Sequence, residues 1–201
     1  MATIYDLKPR FQARLRPYVE ALAETGITAN MVTAGALALS IVWGLWIGSQ
    51  GLAAVAMFLL PVILFIRMAL NAVDGMLARE HGQKTRLGAL FNELADLASD
   101  AALYMPMALL PGIPGWLLIL TVMLGLIAEM AGAIAPQIGA SRRYDGPFGK
   151  SDRAVFFGLF GVLWAVGLVQ GWTWIYLLAG CALALWCLWN RIRRALAEAP
   201  E

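Results

Sequence analysis

Acidic and amide side chains are concentrated between residues 71 and 100, in a chain whose neighbouring segments are apolar enough to cross a bilayer. Carboxylates at membrane depth are costly, so each one is a candidate functional group. Asn71 and Asp74 share one face of a predicted helix, and Asn92, Asp96 and Asp100 share one face of the next. The glycine in the intervening EHGQKT segment interrupts the helical pattern, so a short turn should bring the two polar faces together. Such oxygen ligands predict a site for Mg²⁺ or Mn²⁺.

Small residues lie beside these acids, at Gly75, Ala78, Gly88 and Ala89. They leave the backbone open to close approach by a partner helix or by a flat ligand. Together with a metal, this arrangement suits a nucleotide that carries phosphates. The alternative is a buried hydrogen-bond network that only holds helices together. Three carboxylates and two amides are more than that purpose needs, so we favour the metal site.

The same stretch resembles the CDP-alcohol phosphotransferases. Their signature is an Asp, two residues, Asp-Gly, two residues, Ala-Arg, eight residues, Gly, three residues, Asp, three residues and Asp. Six signature residues fall in register without a gap: Asp74, Gly75, Ala78, Arg79, Gly88 and Asp96. The chain departs from the signature at Asn71 and Asn92, which stand where the family has its first and third aspartates.

The resemblance implies a membrane enzyme of phospholipid biosynthesis. It would transfer a phosphatidyl-type group from a CDP-linked donor, such as CDP-diacylglycerol, to a polar alcohol, phosphorylated or not, and release CMP. One or two ions of Mg²⁺ or Mn²⁺ would be held at positions matching the family's ligands, with Asp100 or Glu93 compensating for the charge that the two amides lack. The implied metal ligands are Asn71, Asp74, Asn92 and Asp96. Asp100, one turn from Asp96 on the same face, is added as a fifth candidate ligand, and the alternative is that it lines a polar pocket or pairs with Arg67 or another base.

The remaining roles also follow from the resemblance. Asp96 would act as the catalytic base on the acceptor hydroxyl. The nucleotide would lie against Gly75, Ala78 and Gly88, with Arg79 near its phosphates. The family also implies a homodimer.

The composition indicates an all-α integral membrane protein. Of 201 residues, 61% are hydrophobic and only 14% are charged, against about 25% charged in a typical soluble domain. Six transmembrane helices are predicted, at about 30–49, 52–81, 86–110, 114–138, 151–169 and 172–192. They form one catalytic domain, 28–196, followed by a tail, 197–201.

Charge distribution predicts the orientation of this domain. The N-terminal segment, the second and fourth loops and the C-terminal region with Arg191, Arg193 and Arg194 are basic, whereas the other loops carry no charge. The positive-inside rule therefore puts both termini and the site on the cytoplasmic side. We expect a bacterial inner membrane protein whose partners are lipids and small molecules, with no nucleic acid.

The N-terminal segment, residues 1–27, predicts an amphipathic helix that lies in the cytoplasmic interface. Apolar residues recur at helical spacing over 5–24, with basic residues among them. Pro9 and Pro17 interrupt this pattern, so two short helices are an alternative.

Four basic residues lie in or beside the fourth loop: Arg142, Arg143, Lys150 and Arg153. Lys and Arg supply the donors that a phosphate needs, and related enzymes with phosphorylated acceptors hold that phosphate with basic residues of this region. We therefore predict an acceptor site here. For Arg142 and Arg143, a purely topological role stays open.

Arg67 is a lone basic residue in the second span, so it should pair with an acid or face the substrate cleft, and Glu129 in the fourth span is its candidate partner. Two other classes of function remain as alternatives. A membrane lipid phosphatase or pyrophosphatase would hydrolyse the donor with water. An ion-coupled transporter would use the carboxylates as an ion path, but it should show a second polar stretch in a matching half of the chain, and none is visible.

Overall fold

The computed structural model describes residues 4–200, with side chains from Phe11 onward, and every regular element in that range is a helix. The α-helices are α1 (Ile4–Glu24), α2 (Ala29–Gly48), α3 (Ala53–Phe58), α4 (Leu60–Glu80), α5 (Arg86–Tyr104), α6 (Gly115–Ile134), α7 (Lys150–Ala165) and α8 (Thr173–Glu198). Short 3₁₀ helices follow α5 at Met105–Leu109 and α6 at Ala135–Ile138.

Four segments in the described range are long and apolar enough to cross a membrane: α2, α4, α6 with its 3₁₀ extension, and α8. The chain is therefore an all-helical membrane protein. The other two predicted spans correspond to α5 and α7. Four charged residues interrupt the apolar character of α5, and the 16 residues of α7 extend only about 24 Å. The count of six spans stays a prediction.

The second predicted span, 52–81, is not one continuous helix. It consists of α3 and α4, with Leu59 between them. Pro61 explains the break, because it has no N–H to donate to the carbonyl of Met57 one turn earlier. Proline is well tolerated in the first turn of a helix, so α4 starts there.

The N-terminal helix α1 runs through both Pro9 and Pro17 as a single helix, so the alternative of two pieces is not what the structure shows. Through Leu15, Val19 and Leu22, its C-terminal half packs into a buried cluster with residues of α2 and α4. Arg16 forms an exposed ion pair with Glu80 at 3.1 Å. The placement of α1 in the membrane interface stays a prediction.

The chain forms two compact units. The first consists of the chain up to Ser40 together with Phe65–Ser99, and its core contains Val19, Ala29, Val32, Val73, Met76 and Leu77. The second consists of Ile41–Leu64 together with the chain from Asp100 onward. Within it, α6 packs against α8, and α3 packs on α7.

Two glycines allow close helix approach within the second unit. A Cβ atom at Gly44 of α2 would lie 1.8 Å from the carbonyl oxygen of Ala102 in α5. A Cβ atom at Gly161 of α7 would lie 2.7 Å from the carbonyl oxygen of Met57, the group that Pro61 leaves without its helical donor. Any larger residue at either position would push the helices apart.

Candidate active site

The turn between α4 and α5 is tied to the start of α2. Gln83 accepts a hydrogen bond at 2.7 Å from the backbone N–H of Ala29. Thr85 precedes the first residue of α5, and its hydroxyl accepts from the N–H of Gly88 at 2.9 Å. This is the bond that an N-cap threonine makes to the third residue of its helix. The turn therefore fixes where α5 begins relative to α2.

Asp74 is a buried carboxylate on α4, only 5% exposed. The hydroxyl of Thr33 on α2 donates to its Oδ2 at 2.8 Å, and Thr33 is itself 5% exposed. Asn71 lies one turn earlier on α4 and is half-buried. The side-chain nitrogen of Asn71 is buried and has no hydrogen-bond partner.

A hydrogen bond from Arg67 sets the register of α4 against α5. Its Nη2 donates to the backbone carbonyl of Asp96 at 3.1 Å. The five-residue turn makes the helices antiparallel, so one turn nearer the loop leads from Arg67 to Asn71 and from Asp96 to Asn92. To within about one turn, therefore, the Asn71–Asp74 and Asn92–Asp96 segments lie at the same level.

This donor set fits a hard divalent cation. Carboxylates and amide carbonyls are the oxygen ligands that Mg²⁺ and Mn²⁺ take. Among the side chains that the structure describes, from Phe11 to Pro200, no three His, Cys, Asp or Glu residues form a group that could hold an ion. Amide oxygens would therefore have to complete the set. The unpartnered nitrogen of Asn71 supports this, because the amide turned over presents its oxygen instead, and a buried unsatisfied group calls for a ligand such as an ion.

The small residues beside the acids have two different surroundings. A Cβ atom at Gly75 would lie 3.1 Å from both terminal nitrogens of Arg79, so this exposed guanidinium folds back over the Gly75 backbone. A Cβ atom at Gly88 would lie 2.8 Å from side-chain oxygens of Asn30 and Thr85. The absence of a side chain at Gly88 is thus explained by packing within the protein. Ala78 packs against the core of the first unit.

Asp100, predicted as a metal ligand, forms a buried ion pair in the second unit. The Nε and Nη2 of Arg153 donate to its Oδ2 at 2.9 and 2.7 Å. Asp100 is 1% exposed and Arg153 2%. Arg153 also donates to the carbonyls of Phe148 and Gly125 at 3.2 and 3.4 Å. Its predicted contact with an acceptor would have to replace these bonds. Both predicted roles stay predictions.

Glu129 joins the same buried cluster. Its carboxylate lies 3.2 Å from Arg191, 3.4 Å from Arg153 and 3.7 Å from Arg142. Arg191 is 2% exposed and also donates to the carbonyl of Ala128 at 2.7 Å. The sequence indicated Glu129 only as a candidate partner of Arg67 and Arg191 only as a topological charge, whereas Glu129 pairs with Arg191, Arg153 and Arg142. Helical spacing relates only residues that are close in sequence, so it cannot predict pairs as far apart as Glu129 and Arg191.

Ion pairs connect the loop 139–149 to the C-terminal end of α8. Arg143 pairs with Asp145 at 2.7 Å and with Glu198, and Arg194 pairs with Asp145 from the other side. Partial burial opposes ionisation of Asp145, but the two arginines outweigh it and lower the pKa of this carboxyl. Lys150 begins α7, directly after Gly149. The four predicted acceptor residues therefore lie in one unit, three of them in ion pairs with acids.

These features define a helical membrane protein with an oxygen-rich polar site on two adjacent helices. The chain belongs to the CDP-alcohol phosphatidyltransferase family, whose sequence model matches residues 26–186. Members of this family are enzymes. The chain is 48% identical over 202 residues to the inner membrane protein YnbA of Escherichia coli strain K12, and the match covers 99% of both chains.

Solved structures show the same fold. The phosphatidylinositol phosphate synthase PgsA1 of Mycobacterium tuberculosis, with CDP-DAG bound, matches with a TM-score of 0.76 at 18% identity, over 92% of this chain and 94% of that one. The same synthase in complex with manganese and citrate matches with a TM-score of 0.75 at 18% identity, over 92% and 89%.

Proposed function

We propose that the protein transfers a phosphatidyl group from a CDP-linked lipid, such as CDP-diacylglycerol, to the hydroxyl of a polar alcohol, with release of CMP. The observation that carries this proposal is the hydrogen bond from Arg67 to the Asp96 carbonyl, which puts the Asn71–Asp74 and Asn92–Asp96 segments at the same level within about one turn, inside the stretch that resembles the family signature. The family membership does not favour a lipid phosphatase or an ion-coupled transporter.

Mg²⁺ or Mn²⁺ would be held by Asn71, Asp74, Asn92 and Asp96, as one or two ions. When bound, the ion supplies positive charge that neutralises the pyrophosphate and the departing CMP. Two supports for this assignment are the burial of Asp74 and the unpartnered side-chain nitrogen of Asn71. A related synthase has been solved with manganese.

The chain's own residues would orient and deprotonate the reactants. Arg79, folded over Gly75, would donate to the nucleotide phosphates, with Ala78 and Gly88 on the same side of the two helices. Asp96 would take the proton of the acceptor hydroxyl as its oxygen bonds to the lipid-side phosphorus. The bond between that phosphorus and the bridging oxygen of the pyrophosphate breaks, and CMP leaves with the electron pair of this bond.

The acceptor would meet the basic residues in and beside the loop 139–149. Arg142 and Lys150 are the better candidates, because both are partly exposed, whereas Arg153 is buried among its own partners. Arg143 is joined to Asp145 and Glu198. We place the protein in a bacterial inner membrane as a homodimer, with the site on the cytoplasmic side.

The test is CMP release by the purified protein from CDP-diacylglycerol with Mn²⁺, with and without a panel of alcohols. Asp74→Asn and Asp96→Asn should each lower the rate by about a hundredfold or more, since both serve metal or proton chemistry. Glu20→Gln, an exposed carboxylate on α1, is the matched control and should keep the wild-type rate. Wild-type turnover in either aspartate variant would contradict the proposal. CMP release that needs no alcohol would indicate hydrolysis instead.

A further inference from the structure

We propose that Thr33 is a positioning residue that holds the Asp74 carboxylate in the orientation needed for metal binding. This inference rests on the proposed function, because it assumes that Asp74 is a metal ligand. Thr33 lies on α2, outside the stretch that resembles the family signature, and its position in an apolar run gives no sign of a polar role.

The geometry of the hydroxyl supports a specific bond. Thr33 Oγ1 lies 2.8 Å from Asp74 Oδ2 and 3.1 Å from the backbone carbonyl oxygen of Ala29. The hydroxyl has one proton, and the ionised carboxylate is the stronger acceptor. The proton therefore goes to Asp74. One carboxylate oxygen is then fixed, and the other is oriented with it.

The helix that carries Thr33 is itself anchored to the same site. Gln83 binds the N–H of Ala29, one turn before Thr33. Ala29 and Val32 belong to the same buried core cluster as Val73 and Leu77, which lie on either side of Asp74 in the sequence. The hydroxyl thus reaches Asp74 from a rigid support. Hydrogen bonds to metal-ligating carboxylates orient the ligand, and their loss commonly weakens metal affinity.

The inference is tested by Mn²⁺ binding to the purified protein without substrate, measured from the electron paramagnetic resonance signal of free Mn²⁺. Thr33→Val keeps the shape of the side chain but removes the hydroxyl, and it should weaken Mn²⁺ binding about ten- to a hundredfold. Thr33→Ser keeps the hydroxyl and should stay close to wild type. The Mn²⁺ midpoint of CMP release should shift in parallel, while the KM for the alcohol stays unchanged.

Thr121→Val is the matched control. Thr121 is equally buried, and its hydroxyl contacts the carbonyls of Leu117 and Leu177 and the thiol of Cys181, none of them a carboxylate. This variant should leave Mn²⁺ affinity at the wild-type value. Melting without metal reports folding, and Thr33→Ala repeats the comparison should the valine variant melt early.

The outcomes separate the inference from the proposed function. Wild-type protein that binds Mn²⁺, with unchanged affinity in Thr33→Val and Thr33→Ala, would overturn the role of Thr33 and leave the metal site intact. Equal weakening in Thr33→Ser and Thr33→Val would also overturn it, because the hydroxyl would then not matter. Wild-type protein that binds no Mn²⁺ would overturn the metal site and the role of Thr33 together.

Discussion

Two buried carboxylates, Asp74 and Asp100, accept hydrogen bonds from chemically different donors. Asp74 accepts a bond from a neutral hydroxyl, which orients the carboxylate and adds no charge. Asp100 accepts two bonds from the guanidinium of Arg153, which already neutralises it. A buried ion pair is strongly destabilised when one partner is removed, because the other charge is left in a medium of low polarity. The structure therefore favours Asp100 as the counter-ion of Arg153.

This interpretation predicts the behaviour of Asp100→Asn. We expect the free energy of unfolding to fall by about 3–5 kcal/mol, the usual cost of breaking a buried pair. The Mn²⁺ midpoint of CMP release should stay at the wild-type value. Removing both charges, in Asp100→Asn with Arg153→Gln, should recover part of the lost stability.

The control for Asp100→Asn is Asp96→Asn, which should lose activity at every Mn²⁺ concentration and remain stably folded. If Asp100→Asn instead raises the Mn²⁺ midpoint strongly, and Asn92→Asp partly restores it, Asp100 is a metal ligand. It would then compensate for the charge that Asn71 and Asn92 lack, as the sequence suggested.

At the scale of elements, two helices approach more closely than side chains normally allow. Gly44 of α2 contacts the backbone of α5 at Ala102, two residues after Asp100. A methyl group there would have to occupy the volume of the Ala102 carbonyl oxygen. Close-packed interiors do not absorb such overlap without moving backbone.

We therefore expect Gly44→Ala to lower the melting temperature clearly, with a cost of about 1–3 kcal/mol or more from overpacking. Gly35→Ala is the matched control on the same helix, because a Cβ atom at Gly35 meets nothing within 4 Å. That change should be neutral or stabilising, since alanine favours a helix by about 1 kcal/mol over glycine. Equal melting of the two variants would contradict the close contact.

At the scale of the whole molecule, local patterns predicted more than long-range contacts did. The i, i+3 and i+4 spacings placed Asn71 with Asp74 and Asn92 with Asp96 correctly on two helices joined by a short turn. Hydropathy gave one long span where Pro61 divides α3 from α4. The partners of Asp74 and Asp100 lie 41 and 53 residues away in sequence. A single sequence carries no periodic signal for such pairs.

At the scale of the whole molecule, four and six membrane spans predict different sides of the membrane for the connections between helices. Basic residues in the connections between helices occur at Lys84 and at Arg142–Arg143, whereas residues 49–52, 110–114 and 166–172 carry no charge. With six spans, the positive-inside rule is satisfied throughout, and both termini are cytoplasmic. With four spans, the termini are still cytoplasmic. The connection 110–114 then lies on the cytoplasmic side, as Lys84 does, and the basic loop 139–149 lies on the opposite side.

Single cysteines introduced at Pro111 and Tyr144, in a background where Cys181 and Cys187 are replaced by alanine, separate these cases. We expect a membrane-impermeant thiol reagent added to intact cells to label Pro111→Cys and not Tyr144→Cys, because α5 and α7 then both cross. Lys84→Cys is the control that should be labelled only after the membrane is opened. Reporter fusions at residues 1 and 201 should both indicate the cytoplasm. Labelling of Tyr144→Cys from outside, with Pro111→Cys protected, would establish four crossings. It would then place the basic loop, and with it the proposed acceptor residues, on the side of the membrane opposite Lys84.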